Sequence, residues 1–132
     1  MAFYDLKKED RVELVEKISK EIFDELSAGK QEKIVIYFSD EDTYIRKTGY
    51  LAIGRIYKAN QRLQPRVLKL LDRLAVSENE KVRQTAINAA GEIGMKDFDH
   101  VAKFMENGLY DKHHSVRNAV IGSIKKNGRE KP

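Results

Sequence analysis

Apolar residues recur along this chain at alternating three- and four-residue steps, broken by short polar stretches, and that spacing predicts a succession of helices. From Leu6 to Ser27 the apolar stripe is Val12, Val15, Ile18, Ile22 and Leu26, with Lys and Glu dominating the other side. Asp5 is the expected N-cap and Gly29 the expected stop. The next run, Gln31 to Phe38, contains IVIYF, which taken alone fits a buried strand. Its place in the chain decides for a short helix. It stands where Pro65 to Val76 and Asp97 to Leu109 stand later, and both of those carry helical spacing. Pro65 suits a first helical turn, where a missing amide hydrogen costs little.

Three segments can be laid over one another: IRKTGYLAIGRIY from Ile45, VRQTAINAAGEIG from Val82 and VRNAVIGSIKKNG from Val116. A β-branched residue followed by arginine opens each copy, and Arg46, Arg83 and Arg117 are 37 and 34 residues apart. The extra residues fall in the connector around Ala59 to Gln64. Polar turns SDED, SENE and DKHH precede the copies, with Asp42 and Asn79 as good N-caps and His113 as a poorer one. Such periods, with two helices per unit and no strand signal, predict an all-α fold, an α-solenoid of helical hairpins. Residues 1–132 form one domain, with an N-terminal capping helix at 6–28 and hairpins at 31–59, 65–94 and 97–128. Gly54 and Gly91 share one repeat position, each costing about 1 kcal/mol relative to Ala in a helix interior. Close backbone packing and approach to a ligand both explain a glycine kept in register.

The run EKVRQTAINAAGEIG, with its Val-Arg, spaced alanines and Ala-Gly-x-Ile-Gly, resembles the HEAT-like repeats, particularly the short phycobilisome-lyase-type subclass. The resemblance covers about residues 31 to 128. Its middle copy is the closest; the first has Gly49 where Ala is usual, and the third ends in SIKKNG, which makes it an atypical cap. The resemblance implies that the arginine opening each second helix bonds to turn carboxylates. Those would be Asp40 for Arg46 and Asp111 for Arg117, with Ser77 in the slot of the middle copy. Asp40, Arg46, Arg83, Asp111 and Arg117 are thus expected to form a structural ladder. The resemblance also implies a non-enzymatic scaffold that holds another protein on the concave face of its second helices. HEAT-like folds also build DNA alkylation repair glycosylases, so a nucleic-acid-binding module is the alternative.

Charge sharpens that pair of readings. The net charge is +4, but residues 1 to 45 hold 7 Lys+Arg against 12 Asp+Glu, and the remainder holds 18 against 9. Nucleic acid would be drawn to Arg55, Arg62, Arg66, Lys69 and Arg73, and to Lys125, Lys126, Arg129 and Lys131. The acidic first part and basic remainder also favour head-to-tail self-association. For a protein partner the candidates are Lys47, Tyr50, Tyr57, Lys58, Gln84, Ile87, Asn88, Asn118 and Ile121, non-core positions of the second helices. Ile87 and Ile121 are equally ordinary packing positions.

Catalytic signatures are missing: no phosphate-binding Gly-rich loop, no HExxH and no GxSxG. His113 and His114 are adjacent, and helical neighbours point about 100° apart, so a shared metal is not expected. His100 has no obvious partner. No cofactor is expected. The absence of cysteine fits a reducing compartment, and with no membrane segment in view the expected location is cytoplasmic.

Overall fold

The computed structural model describes residues 2–130, with side chains described through residue 128. Among these the chain is helix and turn without a strand, and its helices are α1 (Lys8–Ala28), α2 (Glu32–Phe38), α3 (Thr43–Ala59), α4 (Gln64–Leu74), α5 (Glu80–Asp97), α6 (Ala102–Gly108) and α7 (His114–Glu130). Short 3-10 turns precede α4 and α6 at Gln61–Leu63 and Phe98–His100. The connector between the first two copies therefore holds the added residues as a tight turn.

The ambiguous IVIYF run is helical, and the reason lies outside it. Glu25, buried near the end of α1, accepts the amides of Lys33 at 3.1 Å and Ile34 at 2.9 Å. Those are donors that a helix start leaves unpaired, so a carboxylate from the preceding helix caps α2. Ile34 and Phe38, one helical turn apart, enter the core, while Ile36 faces solvent. The start of α1 differs from expectation. Asp5 does not cap it: Lys7 takes that position without a side-chain bond, and Asp5 sits in a separate 3-10 turn, Phe3–Asp5. The lead is held elsewhere. Phe3 is buried, and its amide donates to Asp42 Oδ2 at 2.5 Å, which pins it to the turn before α3.

The seven helices form two layers. α3, α5 and α7 pack side by side with α1 against α3, while α2, α4 and α6 lie against them. The core runs continuously between the layers, from Ile18 and Ile22 through Ile53, Leu71 and Ile93 to Met105 and Val120. Gly54 and Gly91 mark where second helices touch. A methyl group built on Gly54 would lie 2.7 Å from Glu92 Cβ, and one on Gly91 would lie 2.8 Å from Ser123 Cβ. Packing accounts for both glycines.

Gly91→Ala should therefore destabilise the protein by up to about 2 kcal/mol, because overpacking of about 1–3 kcal/mol is offset only in part by a helix-propensity gain of about 1 kcal/mol. Gly122→Ala, on α7 with open space around the added methyl, should instead stabilise by up to about 1 kcal/mol. Thermal denaturation followed by circular dichroism checks both, and a higher Tm for Gly91→Ala would contradict this account.

Candidate binding face

Each second helix springs from one turn, built three times from different residues. The side chain of Asp40, Ser77 or Asp111 accepts the amide two residues on, from Asp42 at 2.8 Å, Asn79 at 3.2 Å and His113 at 2.9 Å. Each of those residues then accepts the amide two further on: Asp42 from Tyr44 and Asn79 from Lys81, both at 2.8 Å, and His113 Nδ1 from Ser115 at 3.1 Å. The arginine closes the turn. Arg46 donates to the Asp40 carbonyl at 2.5 Å, Arg83 to that of Ser77 at 2.7 Å, and Arg117 to that of Asp111 at 2.7 Å.

This corrects the expected ladder. Within a turn the arginine takes the main-chain carbonyl, while the carboxylates of Asp40 and Asp111 accept turn amides. The carboxylate pair runs between copies instead: Arg83 donates Nε to Asp111 Oδ2 at 2.8 Å and Nη2 to Oδ1 at 3.1 Å. Ser77 has no carboxylate to offer Arg46, whose Nη2 turns to Thr43 at 3.0 Å. Burial pushes the Asp111 carboxyl up, but the Arg83 hydrogen bonds, the His113 amide and the guanidinium charge outweigh it, and it titrates below its ordinary value.

With the arginines and glycines used in packing, the free groups on the α3–α5–α7 face stand out. Lys47 and Asn118 are exposed, Gln84 and Asn88 are half-buried, and none of the four has a hydrogen-bond or ion-pair partner among the described residues. Asn88 lines a cleft of about 200 Å³ together with Tyr50, Glu92, Ser123 and Lys126. Glu92 is buried and forms an ion pair at 2.5 Å with Lys126, joining α5 to α7. Sequence reading overlooked Glu92, although its neighbour Gly91 had already marked a close approach of helices. Burial raises the Tyr50 hydroxyl pKa, the Glu92 charge adds to the shift, and Lys126 opposes it.

Tyr57 and Ile87 are not available to a partner. Tyr57 is 2% exposed, donates to Asp97 Oδ2 at 2.8 Å and lies 2.9 Å from His100 Nδ1. Burial and the Asp97 bond push its pKa up to about 12, and His100 acquires the partners it lacked in the sequence. Ile87 is 3% exposed and packs against Gly108 of α6. Its register points toward the following unit, so the equivalent Ile121 on α7 is exposed among the described residues. Lys58, near the end of α3, is also exposed.

The basic candidates are divided. Arg66 Nη1 donates to the Leu26 carbonyl at 3.0 Å and to that of Ser27 at 2.5 Å, and Arg73 Nε donates to Gln31 Oε1 at 2.6 Å. Both tie α4 to the junction of α1 and α2, while Lys126 belongs to Glu92. Arg55, Arg62, Lys69 and Lys125 are exposed. Lys131 and the side chain of Arg129 lie outside the described residues. His113 and His114 stack with ring centroids 4.7 Å apart, since His113 precedes the helix and escapes helical spacing. Among the described residues, no group of three or more His, Asp or Glu could hold a metal, and no helix is long and apolar enough to cross a membrane.

A family model described as HEAT repeats matches residues 32–125, from the first residue of α2 into α7. The chain belongs to the HEAT repeat family. No curated protein and no solved structure matches it. HEAT arrays are generally scaffolds for protein interaction, and here the match takes in every turn arginine.

Asp111→Asn should cost about 3 kcal/mol at pH 7, because it strips a buried guanidinium of its carboxylate. A carboxyl whose pKa is lowered by folding stabilises above its unfolded value, near 4, and that contribution is lost as pH falls through the folded value. The gap between wild type and Asp111→Asn in urea denaturation should thus narrow below about pH 4. A gap independent of pH would contradict the pairing.

Proposed function

We propose that this HEAT array is a non-enzymatic scaffold holding another protein on the face formed by α3, α5 and α7, the inward side of a solenoid. One observation carries the reading. Lys47, Gln84, Asn88 and Asn118 stand on that face with no polar partner among the described residues, whereas the arginines and glycines that recur between copies are engaged in the fold. Side-chain amides both donate and accept, so they suit the main chain of a docked segment as well as its polar side chains. Tyr50, beside the Glu92–Lys126 pair, supplies an aromatic wall.

A nucleic-acid-binding module ranks below this reading. Of its basic candidates Lys126 is already paired with Glu92, and the others are spread over α3, the turn before α4, α4 and α7, on both layers, instead of lining one track. The Ala-Gly-x-Ile-Gly run of α5 supports the phycobilisome-lyase-type subclass, and the absence of cysteine suits a cytoplasmic setting.

Affinity capture on the full chain from source-cell lysate, with nuclease added, tests the proposal. The captured protein should survive nuclease treatment. Lys47→Glu combined with Asn88→Ala and Asn118→Ala should cut its recovery at least tenfold with helicity unchanged, about 1.4 kcal/mol of binding or more. Recovery that the triple variant leaves intact would reject this face.

A further inference from the structure

α4 and the junction of α1 with α2 enclose a cleft of about 300 Å³ whose charged lining is entirely cationic: Lys30, Arg66, Lys69 and Arg73. Leu26 and Leu70 form its apolar floor and are almost fully buried. Converging like charges repel, so such an arrangement is normally relieved by a carboxylate. None lines this cleft. The acids nearby form no ion pair with these four: both oxygens of Glu25 cap α2, Glu32 accepts the Gln31 amide at 3.3 Å and meets the Lys30 charge only at longer range, and Asp72 of α4 pairs with Lys103 at 2.8 Å.

The two arginines are held by neutral acceptors, which orient a guanidinium without cancelling its charge. Arg66 spends only Nη1, on the Leu26 and Ser27 carbonyls, and Arg73 only Nε, on the Gln31 amide oxygen. Among the described residues their other N–H groups are free, and Lys30 and Lys69 have no hydrogen-bond or ion-pair partner. Elsewhere basic side chains meet acids, as in Lys20–Asp24, Lys33–Glu21, Arg83–Asp111 and Lys126–Glu92.

We infer that this cleft binds a phosphate monoester, at a site separate from the α3–α5–α7 face. The ligand carries close to two negative charges near neutral pH and presents three strong acceptor oxygens. Arginine forks match that oxygen geometry, and the lysines add point charges. A single carboxylate brings half the charge. A nucleic-acid backbone brings one charge per phosphate along a line and needs a track of cations. Arg55, Arg62 and Lys125, the other free basic candidates, do not line the cleft. The phosphate can be free or borne on a phosphorylated side chain, since both present the same group.

The test is a low-salt NMR titration of the full chain with inorganic phosphate, a phosphoserine heptapeptide and its unphosphorylated twin. Saturable shifts are expected at residues 29–31 and 66–73 with phosphate-bearing probes and not with the twin. Lys69→Glu and Lys30→Glu should each weaken binding at least tenfold with helicity unchanged, because neither side chain holds the fold. Tighter binding of the peptide assigns the source to a phosphorylated protein, and equal affinity assigns it to free phosphate; either supports the site. The triple variant of the α3–α5–α7 face should bind the probes like wild type, which keeps the two sites' outcomes apart. The site is overturned by no saturable shift with either phosphate-bearing probe, or by affinities unchanged in both lysine variants. It is also overturned by a DNA duplex binding the same residues at least tenfold more tightly than the peptide.

Discussion

Burying Arg83 withdraws a permanent charge from water between two repeats, and the surrounding turns are arranged to replace the hydration it loses. The Ser77 and Glu78 carbonyls take Nη1, and Asp111 takes Nε and Nη2. Because that fork is planar and bidentate, it fixes direction as well as distance between α5 and the turn before α7. The rest of α5 follows from its anchored start. Two residues on, Thr85 donates to the Phe38 carbonyl at the end of α2, and further along Gly91 admits Ser123 of α7. One helix thereby sets its position against the unit before it and the unit after it.

The sequence disclosed the repeat and concealed its wiring. Periodicity located the hairpins, and position against later copies made IVIYF a helix. Local pattern could not reveal Glu25, whose capping role depends on where the preceding helix ends. The turn arginines were recognisable as structural, but their partners were not, because a main-chain carbonyl leaves no trace in side-chain identity. Tyr57 and Ile87 fall at non-core positions in the alignment of the copies, with packing an equal reading for Ile87. They are buried because α6 and the residues around Asp97 fold over them, contacts between segments that no single helix encodes.

The groups that remain unused after the fold is accounted for fall on different layers. The second-helix layer offers uncharged amides beside a neutralised ion pair, and α4 of the first-helix layer offers concentrated positive charge. On the functional reading proposed above, one small array can engage two chemically unlike groups at once, and joining the two contacts would raise avidity without adding any new one.

The turn ahead of each second helix carries a further meaning for how copies diverge. Asp40, Ser77 and Asp111 perform one task, and Asp42, Asn79 and His113 perform another, with oxygens or a ring nitrogen serving alike. Such interchangeable parts let neutral drift proceed through the loops while the helices keep their spacing. Two of these side chains do double duty: Asp111 serves its own turn and the arginine of the copy before it, and Asp42 serves its own turn and the Phe3 amide. Descendants of this chain should therefore vary more freely at the other turn positions and be held by purifying selection at those two.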